Sequence, residues 1–147
     1  MSFQNILIPT DGSEFMDNTI ENGLRIAKLS GGRITALYVL DQSVYSNMPM
    51  DSAVVNIYET LEKEGEEAIE HIRKMGEKEG VEVIGKMIEG MPPKVIVHLS
   101  EEYDLIVMGT AGKKGMTKLL LGSVAEKVVE MSKCPVMIVS SLVKTNA

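Results

Sequence analysis

Short apolar runs alternate along this chain with longer stretches in which apolar residues recur every three or four positions. Phe3 to Ile8 carries the compact Ile-Leu-Ile of a strand buried on both faces, and Pro9 is expected to stop it. Thr10 to Ser13 reads as a turn with Ser13 as a helix N-cap, after which Met16, Ile20, Leu24 and Ala27 share one helical face. Gly31-Gly32 closes that helix, and Ile34 to Leu40 forms a second apolar strand ending at Asp41. A polar connection from Gln42 to Ser52 leads into a long helix reaching about Gly80, with Val54, Tyr58, Leu61, Gly65, Ala68, Ile72 and Met75 in a single stripe. The Glu- and Lys-rich remainder of that helix is its solvated side. Val81 to Ile88 is the third strand. Met91-Pro92-Pro93 opens a short helix, where proline is tolerated in the first turn, and Ile96, Leu99 and Tyr103 face inward. Leu105 to Met108 is the fourth strand. A last helix, on which Leu121, Val124, Ala125 and Val128 recur, runs to about Lys133, and Pro135 to Val139 is the final strand. The tail from Lys144 to Ala147 is expected to be loose.

Five strands alternating with four helices predict a three-layer α/β domain with right-handed crossovers, spanning residues 1–147 as one unit. An apolar fraction of 44% and a charged fraction of 24% are ordinary for a folded domain. The net charge of −6 argues against a general nucleic-acid binder. No apolar run approaches bilayer-spanning length, and the N-terminus shows no basic-then-apolar leader. The single cysteine, Cys134, fits a reducing cytoplasm and reads as a small packed residue. His71 and His98 lie on predicted helices without metal-ligand spacing, and read as surface or packing histidines.

The chemistry concentrates where the fourth strand ends. Gly109, Gly112, Gly122 and Ser123 set out Gly-x2-Gly-x9-Gly-Ser between an apolar strand and a helix start, with Lys113, Lys114 and Lys118 inside the loop. Unpaired N–H groups at a helix N-terminus bind anions, and the lysines add charge, so phosphate is the expected guest. The spacing is neither a Walker A loop nor the dinucleotide fingerprint. Ser123-Val124-Ala125-Glu126 is also a capping box by spacing, which leaves Ser123 with two readings, phosphate contact or cap. Asp11 likewise reads as a ligand acceptor or as an Asx turn.

These residues resemble the universal stress protein family in its ATP-binding branch. The resemblance covers nearly the whole chain: Ile6-Leu7-Ile8-Pro9-Thr10-Asp11-Gly12-Ser13 at the start, Leu119 to Val128 at the glycine loop, and Cys134-Pro135-Val136 at the end. Ala111 and Lys113 depart from the His or Arg and the Arg frequent there. The resemblance implies a parallel sheet of order 3-2-1-4-5, Rossmann-like, with its switch point between the first and fourth strands. Ligands in such sheets bind beyond the carboxyl ends of the strands at that point, here Pro9-Thr10-Asp11 and Met108-Gly109. It implies a nucleotide site of Pro9, Thr10, Asp11, Val39, Met108, Gly109, Gly112, Lys113, Gly122, Ser123 and Val124. Asp11 and the backbone of Val39 would meet adenine, and Gly122 and Ser123 would offer N–H groups and a hydroxyl to phosphates. The implied ligands are ATP, ADP or AMP, with magnesium carried by the phosphates. The expected function is a cytoplasmic nucleotide-dependent regulator or switch in stress response, acting on a client protein the sequence does not name. Two rivals are a slow ATPase or adenylate-transferring enzyme, and a nucleotide-free interaction module. At the sheet edge, Pro135 to Val139 carries no charge, which predicts a homodimer through the last strand.

Overall fold

The computed structural model describes residues 3–110 and 121–141. Five strands, β1 (Asn5–Thr10), β2 (Arg33–Asp41), β3 (Val83–Gly90), β4 (Leu105–Gly109) and β5 (Val136–Val139), form one parallel sheet in the order β3-β2-β1-β4-β5. This is the order the resemblance implies. The helices are α1 (Asp17–Ser30), α2 (Ser52–Glu79), α3 (Pro92–Leu99) and α4 (Ser123–Met131).

The period-two alternation of each strand divides its apolar residues between two helical layers. Ile6 and Ile8 of β1, with Leu105 and Val107 of β4, join Ile20 and Leu24 of α1 and Ile72 of α2 in one core. Leu7, Leu37, Ile106 and Met108 point the other way, onto Ile96 and Leu99 of α3 and Val128 of α4. Burial on both faces is why these strands read as continuous apolar runs rather than alternating ones.

Three local expectations are corrected. Pro9 does not stop β1; it lies within the strand, in register with Leu37, and the strand runs on to Thr10. The carbonyls of Gln4 and Asn5 accept from Arg33 and Asp104 respectively, so successive residues of β1 turn towards β2 and β4 in alternation. Pro9 therefore directs its nitrogen at the β4 side. Pairing with β4 ends at Leu7–Ile106, so no ladder donor is needed there.

Ser13 does not cap α1. A 3-10 turn, Glu14–Met16, intervenes, and the Ser13 side chain makes no cap hydrogen bond. Val81, expected in the third strand, instead completes the end of α2. Its N–H donates to the Gly76 carbonyl at 2.9 Å, beyond Gly80 at φ 68°, which is the hydrogen-bond pattern of a Schellman cap. β3 starts two residues later, at Val83.

Candidate functional site

β1 and β4 separate after Leu7 and Ile106, and a crevice of about 750 Å³ opens at their carboxyl ends. Four distant parts of the chain supply its strand-end and helix-start residues, and Leu61 of α2 and Pro92 and Ile96 of α3 add to its walls. Pro9, Thr10 and Asp11 end β1, Val39 and Asp41 end β2, Met108, Gly109 and Thr110 end β4, and Gly122, Ser123, Val124 and Ala125 begin α4. Nine of the expected nucleotide residues thus line one cavity, of the size ligand pockets commonly have. The other two, Gly112 and Lys113, lie outside the described residues, as do Lys114 and Lys118.

The β1 turn is set by its own side chains. Thr10 Oγ1 accepts the Gly12 N–H at 3.0 Å, and Asp11 Oδ1 accepts the Ser13 N–H at 2.9 Å. Gly12 sits at φ 78°, a conformation in which a Cβ is strained. Asp11 therefore does make the Asx turn, using one carboxylate oxygen, while the residue still lines the crevice. The two readings of Asp11 are compatible.

The α4 end differs from the capping-box reading. Gly122, in extended conformation, is the N-cap residue, and no side chain caps the helix. Ser123 is the first helical residue, so its hydroxyl is not tied to the end of its own helix. The Gly122 N–H donates to the Thr110 carbonyl at 2.8 Å, which removes it as a phosphate donor. The helix begins its bonding with the Glu126 N–H to the Gly122 carbonyl at 2.9 Å. Helical bonding itself gives the N–H groups of Ser123, Val124 and Ala125 no partner, and these face the position an anion takes at a helix start.

Tyr38 walls the crevice with its ring and donates its hydroxyl to Glu64. Burial first, then the neighbouring Glu64 and Asp11 carboxylates, pushes its pKa up to about 12, so it stays neutral. At the mouth, Val44 lines the crevice, and its neighbour Tyr45 meets Tyr58 of α2 edge-on, with ring centroids 5.7 Å apart. The described lining carries the carboxylates of Asp11 and Asp41 but no lysine or arginine. Asp41 escaped the sequence reading; the signal was its place two residues past Val39 on the same face of β2.

His71 is exposed and pairs with Asp17 at 2.7 Å. Burial raises the Cys134 pKa, which favours the thiol over the thiolate. Among the described residues, no group of three or more His, Cys, Asp or Glu is placed to hold a metal ion, and no helix is long and apolar enough to cross a membrane.

Comparison with known proteins agrees with this architecture. Residues 2–140 match the model of the universal stress protein family. The universal stress protein MJ0531 of Methanocaldococcus jannaschii is 41% identical over 139 residues, 93% of this chain and 82% of that protein. The solved structure of MJ0577 from the same organism superimposes with a TM-score of 0.83 at 28% identity, covering 100% of both chains. A universal stress protein of Archaeoglobus fulgidus, solved in complex with dAMP, shares the fold at a TM-score of 0.69 and 20% identity, over 94% of this chain and 98% of that one. The chain belongs to the universal stress protein family.

Proposed function

We propose that this chain is an adenine-nucleotide-binding regulator, a cytoplasmic switch in stress response that binds ATP, ADP or AMP and passes its occupancy to a client protein. The observation that carries the reading is the meeting of the β1 turn, the ends of β2 and β4 and the start of α4 around one crevice. The protein of Archaeoglobus fulgidus solved with dAMP and one of Arabidopsis thaliana solved with AMP support it by analogy.

In this reading the base lies against Val39 and Asp11, with Pro9 and Thr10 as the adjoining wall and Met108 and Gly109 beneath. The phosphates take the N–H groups of Ser123 and Val124 and the Ser123 hydroxyl, with Gly112 and Lys113 completing their surround. Gly122 contributes an open backbone rather than a donor. Magnesium would ride on the phosphates, with few protein ligands. The working form is a homodimer through β5.

The test is to denature freshly purified protein, identify released nucleotide by mass spectrometry, and titrate the refolded chain with ATP, ADP and AMP by calorimetry. Adenine nucleotide is expected in the released fraction, with saturable binding of at least one of the three. A chain that carries none and binds none overturns the proposal.

A further inference from the structure

Asp41 ends β2 on the crevice face, one pleat beyond Val39 and about 7 Å from it along the strand. Its Oδ1 accepts both the N–H of Ser43, at 3.0 Å, and the Ser43 hydroxyl, at 2.7 Å. That oxygen starts the short 3-10 turn Gln42–Val44. Among the described residues, Oδ2 has no hydrogen-bond partner, and no lysine or arginine pairs with the carboxylate. In register with Asp41 on β3 stands Gly90, so that strand places no side chain over it. The turn needs one oxygen; the other is a fixed acceptor in a binding crevice.

We propose that Asp41 reads the base, its Oδ2 accepting a hydrogen bond from the exocyclic amine of adenine. This rests on the nucleotide reading above and adds selection among purines. The strand order decides which part of the ligand Asp41 meets. Phosphates at the start of α4 lie on the β4 side, and β1 stands between β4 and β2. With strands about 4.8 Å apart, the β2 end is some 10 Å away across the sheet, beyond the reach of the ribose. Asp11, next in line after the Thr10–Tyr38 pair, falls beside Val39, and Asp41 lies farther out on the same strand. The base end of the ligand is what arrives there. An amine donates to a carboxylate, whereas the 6-oxo group of hypoxanthine presents only lone pairs to it.

Calorimetric titration of the full-length chain and of Asp41→Asn, each with ATP and with ITP in magnesium, tests this. Asparagine keeps an oxygen for the two Ser43 donors and puts an NH2 where Oδ2 was, so the ligand-free thermal midpoint should not move. A hydrogen bond to a charged group predicts that the parent prefers ATP by about 10-fold or more. The variant should lose or reverse that preference, because its NH2 now suits the 6-oxo base. An ATP-to-ITP ratio that is the same in both proteins, or equal affinities in the parent, overturns the inference while leaving nucleotide binding standing. A parent that binds no adenine nucleotide overturns both.

Discussion

Gly65 lies in the middle of α2, where alanine would ordinarily be worth about 1 kcal/mol more to the helix. A Cβ at this position would come within 2.6 Å of Tyr38 Cδ1 and 2.7 Å of Met87 Cε. The Met87 methyl is the end of a flexible side chain and can swing away. The Tyr38 ring, 3% exposed and tethered through its hydroxyl to Glu64, has less freedom to yield. Overpacking of this kind costs roughly 1–3 kcal/mol, which outweighs the helix gain. Gly65→Ala is therefore expected to lower stability by about 1 kcal/mol in urea unfolding. Because Tyr38 walls the crevice, the variant should also weaken nucleotide binding. A more stable variant would show that the wall gives way. The glycine in this stripe is thus a matter of close approach between helix and sheet, which the sequence pattern placed but did not explain.

At the level of elements, α4 separates a cap from a ligand contact. Removing a true N-cap side chain costs about 1 kcal/mol. Ser123 is the first helical residue and caps nothing, so Ser123→Ala should change stability by no more than ~0.5 kcal/mol. If its hydroxyl meets phosphate, affinity should fall by about 2- to 10-fold in the same protein. Loss of stability with unchanged affinity would return the residue to the capping role.

The spacing Ser123 to Glu126 suggested that role because the capping-box pattern cannot tell whether the helix begins at the serine or one residue before it. Pro9 misled for a related reason: proline forbids one ladder bond, and only the splay of β4 shows that none was required. Ser13 looked like a cap because a 3-10 turn leaves no trace in hydrophobic period. By contrast, the buried strands announced themselves through apolar runs, and α2 through its stripe. Gly109, Gly122 and Ser123 were legible as residues of one crevice from the spacing of the glycine motif, because composition and spacing are local properties. Asp41 went unnoticed because its position depends on the register of β2 against β1, a relation between residues some thirty positions apart.

For the molecule as a whole, the two edges of the sheet are unequal. β3 carries Lys86 and Glu89, both exposed, and charges of this kind discourage pairing with another chain. β5 has no charge; Val136, Met137 and Ile138 are half-buried, and of its four residues only Val139 is buried. The proposed cover is the same strand of a second copy about a two-fold axis, an isologous contact. Sedimentation should find the parent dimeric at micromolar concentration, and Met137→Lys monomeric, with circular dichroism checking that the variant is folded, since Met137 also packs against the core. A monomeric parent would count against the proposal, as would a folded Met137→Lys that remains fully dimeric.

The parting of β1 from β4 has a mechanical side. β2 stays in register with β1 from Asn5 to Thr10 and with β3 from Ile34 to Asp41, whereas the ladder between β1 and β4 has two pairs, Ile6–Leu105 and Leu7–Ile106, with Asp104 bonded to Gln4 and Asn5 just before them. The sheet's thinnest seam thus runs through its middle, with β1, β2 and β3 on one bank and β4 and β5 on the other. Anything lodged across that seam acts as a rivet between the banks. Filling the crevice then changes how firmly the β5 edge is held to the rest of the sheet, without any strand having to move far.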